Sequence, residues 1–231
     1  MSAIEPLLAA LEHPAKRQRR QAAEALGELG ASDPALRTRL LGELDTGTLD
    51  RRWTVAYALF LAGERSARLW PVLLEALGSA DGDLRWAASR LVVALDVPDL
   101  TGRLLDALAA GPAAQRKMAL YCLREHGVQT PRIQAAVIAA LDDGDPGIRL
   151  AAMSSLVVIA TDAAAAAEAL RRRLDDVDPG VRRAAAAALG RLGVGTPEVL
   201  AQLARAADAD DEALARAARG ALERLRNGRP E

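Results

Sequence analysis

The sequence predicts an all-α solenoid, and three observations support that expectation. The first is a phrase that returns seven times, clearest as Asp178-Pro179-Gly180-Val181-Arg182-Arg183-Ala184-Ala185-Ala186-Ala187-Ala188-Leu189-Gly190. Aligned on Arg182, its copies fall at Arg19, Arg52, Arg85, Arg116, Arg149, Arg182 and Ala215, with spacings of 33, 33, 31, 33, 33 and 33 residues. A fixed period of this length means stacked supersecondary units, each burying its apolar face against the next. The second observation is composition: Ala and Leu dominate and aromatics are only 3%, which suits closely packed helices. The third is periodicity, because apolar residues recur at helical spacing and strand signals are absent.

Each unit is predicted to be a helical hairpin. In chain order the units span 1–30, 31–63, 64–97, 98–127, 128–161, 162–194 and 195–227 of a single domain. The first helices are marked by Pro6-Leu7-Leu8, Leu40-Leu41, Pro71-Val72-Leu73-Leu74, Leu104-Leu105, Val137-Ile138, Ala169-Leu170 and Val199-Leu200. Turn chemistry then leads into the second helices, as in Asp142-Asp143-Gly144-Asp145-Pro146 and Asp175-Asp176-Val177-Asp178-Pro179. Asp145 and Asp178 can accept from first-turn N–H groups, and the prolines after them sit where no N–H is needed. Gly30, Gly63, Gly127 and Gly193 punctuate the far ends of second helices.

The pattern Asp-Pro-x-Val-Arg-x-x-Ala-x-x-Ala-Leu-Gly resembles the short HEAT-like repeat, of the kind found in bilin lyases, over roughly residues 4–226. The resemblance implies an all-α, right-handed α-solenoid of about seven HEAT-like helical-hairpin repeats, the first and last acting as caps. It also implies that second helices line a concave groove. The Arg182 column is then a structural ladder, pairing between units with the inter-helix aspartates Asp81, Asp145, Asp178 and Asp211. Function stays open, because such arrays serve as scaffolds, ligand binders and occasionally enzymes.

Composition bounds the remaining possibilities. The net charge of -1 does not describe a polycation seeking nucleic acid. A single cysteine, Cys122, excludes an intramolecular disulfide, fits a reducing compartment and falls on the apolar stripe as a small core residue. The N-terminal residues lack a signal-peptide pattern, and the most apolar stretch, 150–160, is too short to span a membrane. A cytoplasmic protein with no membrane partner is expected. His13 in a turn and His126 at a helix end make no metal site, and no cofactor motif is present.

The residues that break the repeat locate a candidate site. With Val181 as position zero, positions 0, +3, +4, +7, +8 and +11 form the apolar stripe of each second helix. Positions +2, +5, +6, +9 and +13 form the opposite face, predicted to look into the groove. The second unit places Trp53, Ala56, Tyr57, Phe60 and Glu64 there, and the third places Trp86, Ser89, Arg90 and Val93. The fourth places Lys117, Leu120, Tyr121 and Arg124, the fifth Leu150, Met153, Ser154 and Val157. Five of the chain's six aromatics therefore lie on this face; Trp70 opens a first helix instead. The face also holds seven cations against three carboxylates.

Clustered aromatics beside Arg and Lys suit an anionic, partly aromatic guest or a protein segment. The expected function is therefore non-enzymatic binding or scaffolding through Trp53, Tyr57, Phe60, Trp86, Arg90, Lys117, Tyr121 and Arg124. The expected partner is a protein or peptide, or else an anionic small molecule. The alternative is an enzyme acting on nucleic acid, since the fold, length and basic Trp-bearing groove are similar to those of the HEAT-like alkylpurine DNA glycosylases. That family places an Asp one turn after a Trp, where this chain has Tyr57 and Arg90. Glu24 and Glu64 are the carboxylates left to stabilise a developing cation in that reading.

Overall fold

A computed structural model describes residues 4–95 and 97–228. Among the described residues there are fourteen α-helices and no strand, consistent with an all-α solenoid. They fall into two compact units, Met1–Leu100 and Thr101–Glu231. The first holds the hairpins α1 (Ile4–Ala10) with α2 (Lys16–Ser32), α3 (Pro34–Gly42) with α4 (Leu49–Leu61), and α5 (Trp70–Leu77) with α6 (Gly82–Ala94). The second holds α7 (Leu100–Ala110) with α8 (Ala113–His126), and α9 (Pro131–Ala139) with α10 (Pro146–Ile159). It ends with α11 (Ala163–Arg172) with α12 (Pro179–Leu192), and α13 (Pro197–Ala207) with α14 (Glu212–Asn227).

The helix starts follow from capping chemistry. The Gly147 N–H donates to Asp145 Oδ1 at 2.7 Å and the Val181 N–H to Asp178 Oδ1 at 2.9 Å. Asp33, Thr48, Asp81, Thr130, Asp162, Thr196 and Asp211 accept in the same way from the first turns they precede. Gly63, Gly127 and Gly193 take φ of +89°, +74° and +76°, left-handed values that let the chain leave a helix without a Cβ clash. Gly30 differs from the expectation: α2 continues through it to Ser32, and Asp33 then caps α3. Its missing side chain serves packing instead, since a Cβ there would lie 3.1 Å from the Ala62 Cβ.

The arginine ladder exists, with partners other than most of those expected. Arg149 Nη1 donates to the carbonyls of Asp143 (2.9 Å) and Gly144 (3.3 Å), and its Nη2 reaches Asp176 Oδ1 in the next hairpin at 2.7 Å. Arg116 repeats this with the Gly111 carbonyl and both oxygens of Asp143, and Arg19 with the His13 carbonyl and Asp50. Arg182 meets Asp211 at 3.5 Å, the one expected partner retained. Asp145 and Asp178 cap their own helices, and Asp81 binds Lys16 besides capping α6. The ladder needs a carboxylate that reaches the preceding hairpin, and Asp143 and Asp176, two residues earlier in the turn, have that reach.

The buried arc of the second helices is also wider than the apolar stripe. Ala23, Ala56, Leu120, Met153 and Ala186, all at +5 and expected to face outward, are buried, as is Ser89. Besides its own first helix, a second helix can pack on another second helix of the same unit, as α2 on α4, α8 on α10, α10 on α12 and α12 on α14, which widens the buried arc. In α14, the last helix, the same position is Arg219 and is exposed.

Position +9 shows how closely second helices approach. A Cβ on Gly27 would lie 2.5 Å from the Leu61 Cβ on α4, and one on Gly190 would lie 2.8 Å from the Ala221 Cα on α14. Gly190→Ala is therefore expected to destabilise the chain by about 1–2 kcal/mol, because overpacking outweighs the helix-propensity gain of roughly 1 kcal/mol. Gly220→Ala, on α14 with nothing within 4 Å of its Cβ, is expected to stabilise by up to about 1 kcal/mol. Urea unfolding of both variants checks this, and equal shifts would refute the close-approach account.

Candidate functional site

The first unit departs from tight stacking at one place. α2 and α4 pack closely, whereas α4 and α6 do not make a comparable backbone approach. At the position equivalent to Gly27 and Gly190, α4 carries Phe60, with Tyr57 and Trp53 one and two turns earlier. Phe60 occupies the position at which Gly27 and Gly190 admit a neighbouring second helix. A cavity of about 630 Å³ opens there, lined by Trp53, Tyr57, Phe60 and Leu61 of α4 and by Leu84, Ala87, Arg90 and Leu91 of α6. Lys16, Arg19 and Arg20 of α2 with Asp50, Asp81 and Asp83 form its polar rim. A volume in this range and a concave, mainly apolar surface are usual for ligand sites, although seven of the side chains at this one are charged.

The aromatic wall is ordered by i, i+4 spacing on one helix face. Trp53 and Tyr57 hold their rings nearly parallel, 11° apart with centroids separated by 6.1 Å. Phe60 is covered by the Arg65 guanidinium, 3.9 Å from the ring centroid, and Arg65 is fixed by the carbonyls of Phe60 (2.7 Å) and Glu64 (2.9 Å). All three rings are half-buried. Trp86, on α6, is 58% exposed, an unusual placement for the largest apolar side chain.

Most of the rim charges neutralise one another. Arg20 Nε donates to Glu24 at 2.8 Å and Arg19 Nη2 to Asp50 at 2.9 Å. Lys16 binds Asp81 and lies 3.7 Å from Asp83, linking the start of α2 to the start of α6 past the intervening α4. The hydrogen bond from Lys16 is the main cause holding the Asp81 carboxyl below its ordinary range, aided by first-turn N–H groups of α6. Arg90 has no ion-pair partner among the described residues.

The expected site residues thus separate. Trp53, Tyr57, Phe60 and Arg90 line one cavity in the first unit, where Trp86 is also found. Lys117, Tyr121 and Arg124 belong to α8 in the second unit, all half-buried. There Arg124 lies 5.4 Å from the Tyr121 ring centroid and binds Glu125 at 2.8 Å. Glu24 is engaged by Arg20, and Glu64 Oε1 accepts from the Ser66 N–H at 2.8 Å, a turn-closing bond. Interactions with Ser66 hold the Glu64 carboxyl below its ordinary value against partial burial. Cys122 is buried, and desolvation pushes its thiol up to about 12, so it is a core residue and no nucleophile at neutral pH.

Sequence reasoning missed Leu84 and Leu91 as lining residues because they sit at stripe positions 0 and +7 of α6. They reach the cavity because α4 stands away from α6. Lys16, Asp81 and Asp83 were missed for a related reason: their link joins residues 65 positions apart, for which no local pattern exists.

Comparison with known proteins agrees with this architecture. The family model of HEAT repeats matches residues 133–223. No curated protein matches the chain. Among solved structures, human deoxyhypusine hydroxylase in complex with glycerol is similar at 22% identity, covering 97% of this chain and 85% of that one, with a TM-score of 0.47. The complex of CpcE and CpcF of phycocyanin lyase from Nostoc sp. is similar at 20% identity, over 99% and 94% of the two chains, with a TM-score of 0.42. An engineered protein is similar at 18% identity, over 97% and 68%, with a TM-score of 0.50, which is a likeness of fold alone. Among the described residues, no helix is long and apolar enough to cross a membrane. The resemblance of the recurring phrase to HEAT repeats therefore holds, with the family match lying in the second unit.

Proposed function

We propose that this chain is a binding or scaffold protein without catalytic chemistry, which holds a protein segment or an anionic, partly aromatic guest in the α4–α6 cavity. The observation behind this reading is the parting of α4 from α6 around Trp53, Tyr57 and Phe60. A repeat built only for stacking has no use for three aromatics on one face of α4, least of all for Phe60 where α2 and α12 carry Gly27 and Gly190. Half-exposed rings in a concave, mainly apolar setting gain free energy when a guest removes them from water, roughly 25 cal/mol per Å² covered. Glu24 and Glu64 are engaged in an ion pair and a turn outside the cavity lining, and the lining carboxylates Asp50, Asp81 and Asp83 face Arg19 and Lys16, so binding is favoured over bond cleavage.

The test is a titration of the whole chain with an acidic, aromatic-bearing peptide, an aromatic carboxylate and single-stranded DNA, at two salt concentrations. Peptide or carboxylate is expected to bind, and Trp53→Ala combined with Trp86→Ala should weaken that binding at least about tenfold with unchanged helicity. Loss of helicity in the double variant would make the two tryptophans structural. Binding of DNA alone, weakening steeply with salt, would replace this reading with a nucleic-acid one.

A further inference from the structure

We infer that the α4–α6 cavity takes an organic monocarboxylate with a flat apolar body, its carboxylate meeting Arg90. This deepens the binding reading above and rests on it. The anionic requirement comes from counting which rim charges are already satisfied. Lys16 is held by Asp81 and Asp83, Arg19 by Asp50, and Arg20 by Glu24. Arg90 lines the cavity from α6 and is exposed, and it alone of these four cations has no carboxylate partner among the described residues. The cavity can therefore neutralise one negative charge. A second finds no unsatisfied cation on the rim, because Lys16, Arg19 and Arg20 already hold Asp81 with Asp83, Asp50 and Glu24.

The shape requirement comes from the rings. Trp53 and Tyr57 stack with their planes 11° apart, which gives the α4 wall a flat aromatic surface against which a flat guest can lie. Leu84 and Leu91 supply an aliphatic surface on the α6 side, with no polar group to satisfy along the body of the guest. Arg90, on the same helix as these leucines, can place a planar guanidinium against a carboxylate at one end of that body. A fused two-ring acid fits these demands, and a cavity of about 630 Å³ accommodates it with room for substituents.

Calorimetric titration of the full chain with 2-naphthoate, its uncharged carboxamide and 2,6-naphthalenedicarboxylate tests the inference. Naphthoate is expected to bind about tenfold or more tightly than the carboxamide, and the dicarboxylate no more tightly than naphthoate. Arg90→Gln should bring naphthoate and carboxamide to equal affinity, whereas Arg39→Gln, on α3 and paired with Glu5 outside the cavity lining, should leave the difference intact. Equal affinities in the unsubstituted chain, or a preference that survives Arg90→Gln, would overturn the assignment of Arg90 while leaving an apolar binding cavity standing. If none of the naphthalenes binds but the aromatic peptide does, the small-acid guest is wrong and the binding reading survives. If nothing binds, both fail together.

Discussion

Arg149→Ala is expected to destabilise the chain by about 3–5 kcal/mol, because it leaves the buried Asp176 carboxylate without its main partner. The side chains of Arg149 and Asp176 are 8% and 4% exposed and meet at 2.7 Å. The same guanidinium satisfies the carbonyls of Asp143 and Gly144, which would lose a donor as well. Exposed pairs offer a contrast: removing Arg20, whose pair with Glu24 lies in solvent, should shift the unfolding midpoint far less. Urea unfolding of the two variants compares them, and a cost below 1 kcal/mol for Arg149→Ala would refute a central role for the ladder.

The same pair makes a pH prediction. Burial alone would raise the Asp176 carboxyl, but the hydrogen bond from Arg149 and that from the Asp178 N–H outweigh it, so the group is held below its ordinary value. A depressed folded-state value means its contribution is complete above the unfolded carboxylate range and is lost as pH falls through the folded one. Asp176→Asn should therefore be least stable relative to the unsubstituted chain near neutrality. The gap should narrow as pH is lowered from about 5 toward 3. A gap that stays constant would show that the charge of Asp176 contributes nothing.

Leu120→Ala is the second large effect, about 2–5 kcal/mol. Leu120 lies at +5 of α8, is fully buried, and its helix packs closely on α10, whose Ser155 hydroxyl donates to the Leu120 carbonyl at 3.1 Å. Leu150→Ala removes the same atoms from α10 at +2, where the side chain is 37% exposed, and should cost less than about 1 kcal/mol. Sequence periodicity assigns both leucines to the outward face, so thermal unfolding of the pair measures how far the buried arc extends beyond the stripe. Equal losses would refute the burial difference.

These cases show how far the sequence could be read. The helical hairpins, the caps Asp145 and Asp178 and the left-handed Gly63, Gly127 and Gly193 were legible, because each depends on residues a few positions apart, whereas Asp81 and Asp211, expected in the ladder, cap helices as well. The phase of the outward face was legible only in part. Trp53, Tyr57 and Trp86 at +2 and +6 do reach the surface, but +5 is buried in six of the seven second helices, by neighbours that a single-helix projection does not contain. Gly30 was misread because a glycine needed for close approach looks the same as one needed for a left-handed turn.

The sequence by itself determined the repeat, the hairpins and the clustering of aromatics in the second and third units, since periodicity and local hydrogen bonding set all three. Tertiary structure alone decided which carboxylates complete the ladder, that α6 stands off from α4 to leave a cavity, and that Arg90 is the rim cation without a carboxylate partner among the described residues. The physical reason is that helix separation and ion pairing depend on side chains facing each other from different hairpins. One residue's identity acts there only through the size and charge of another, 23 to 65 positions away.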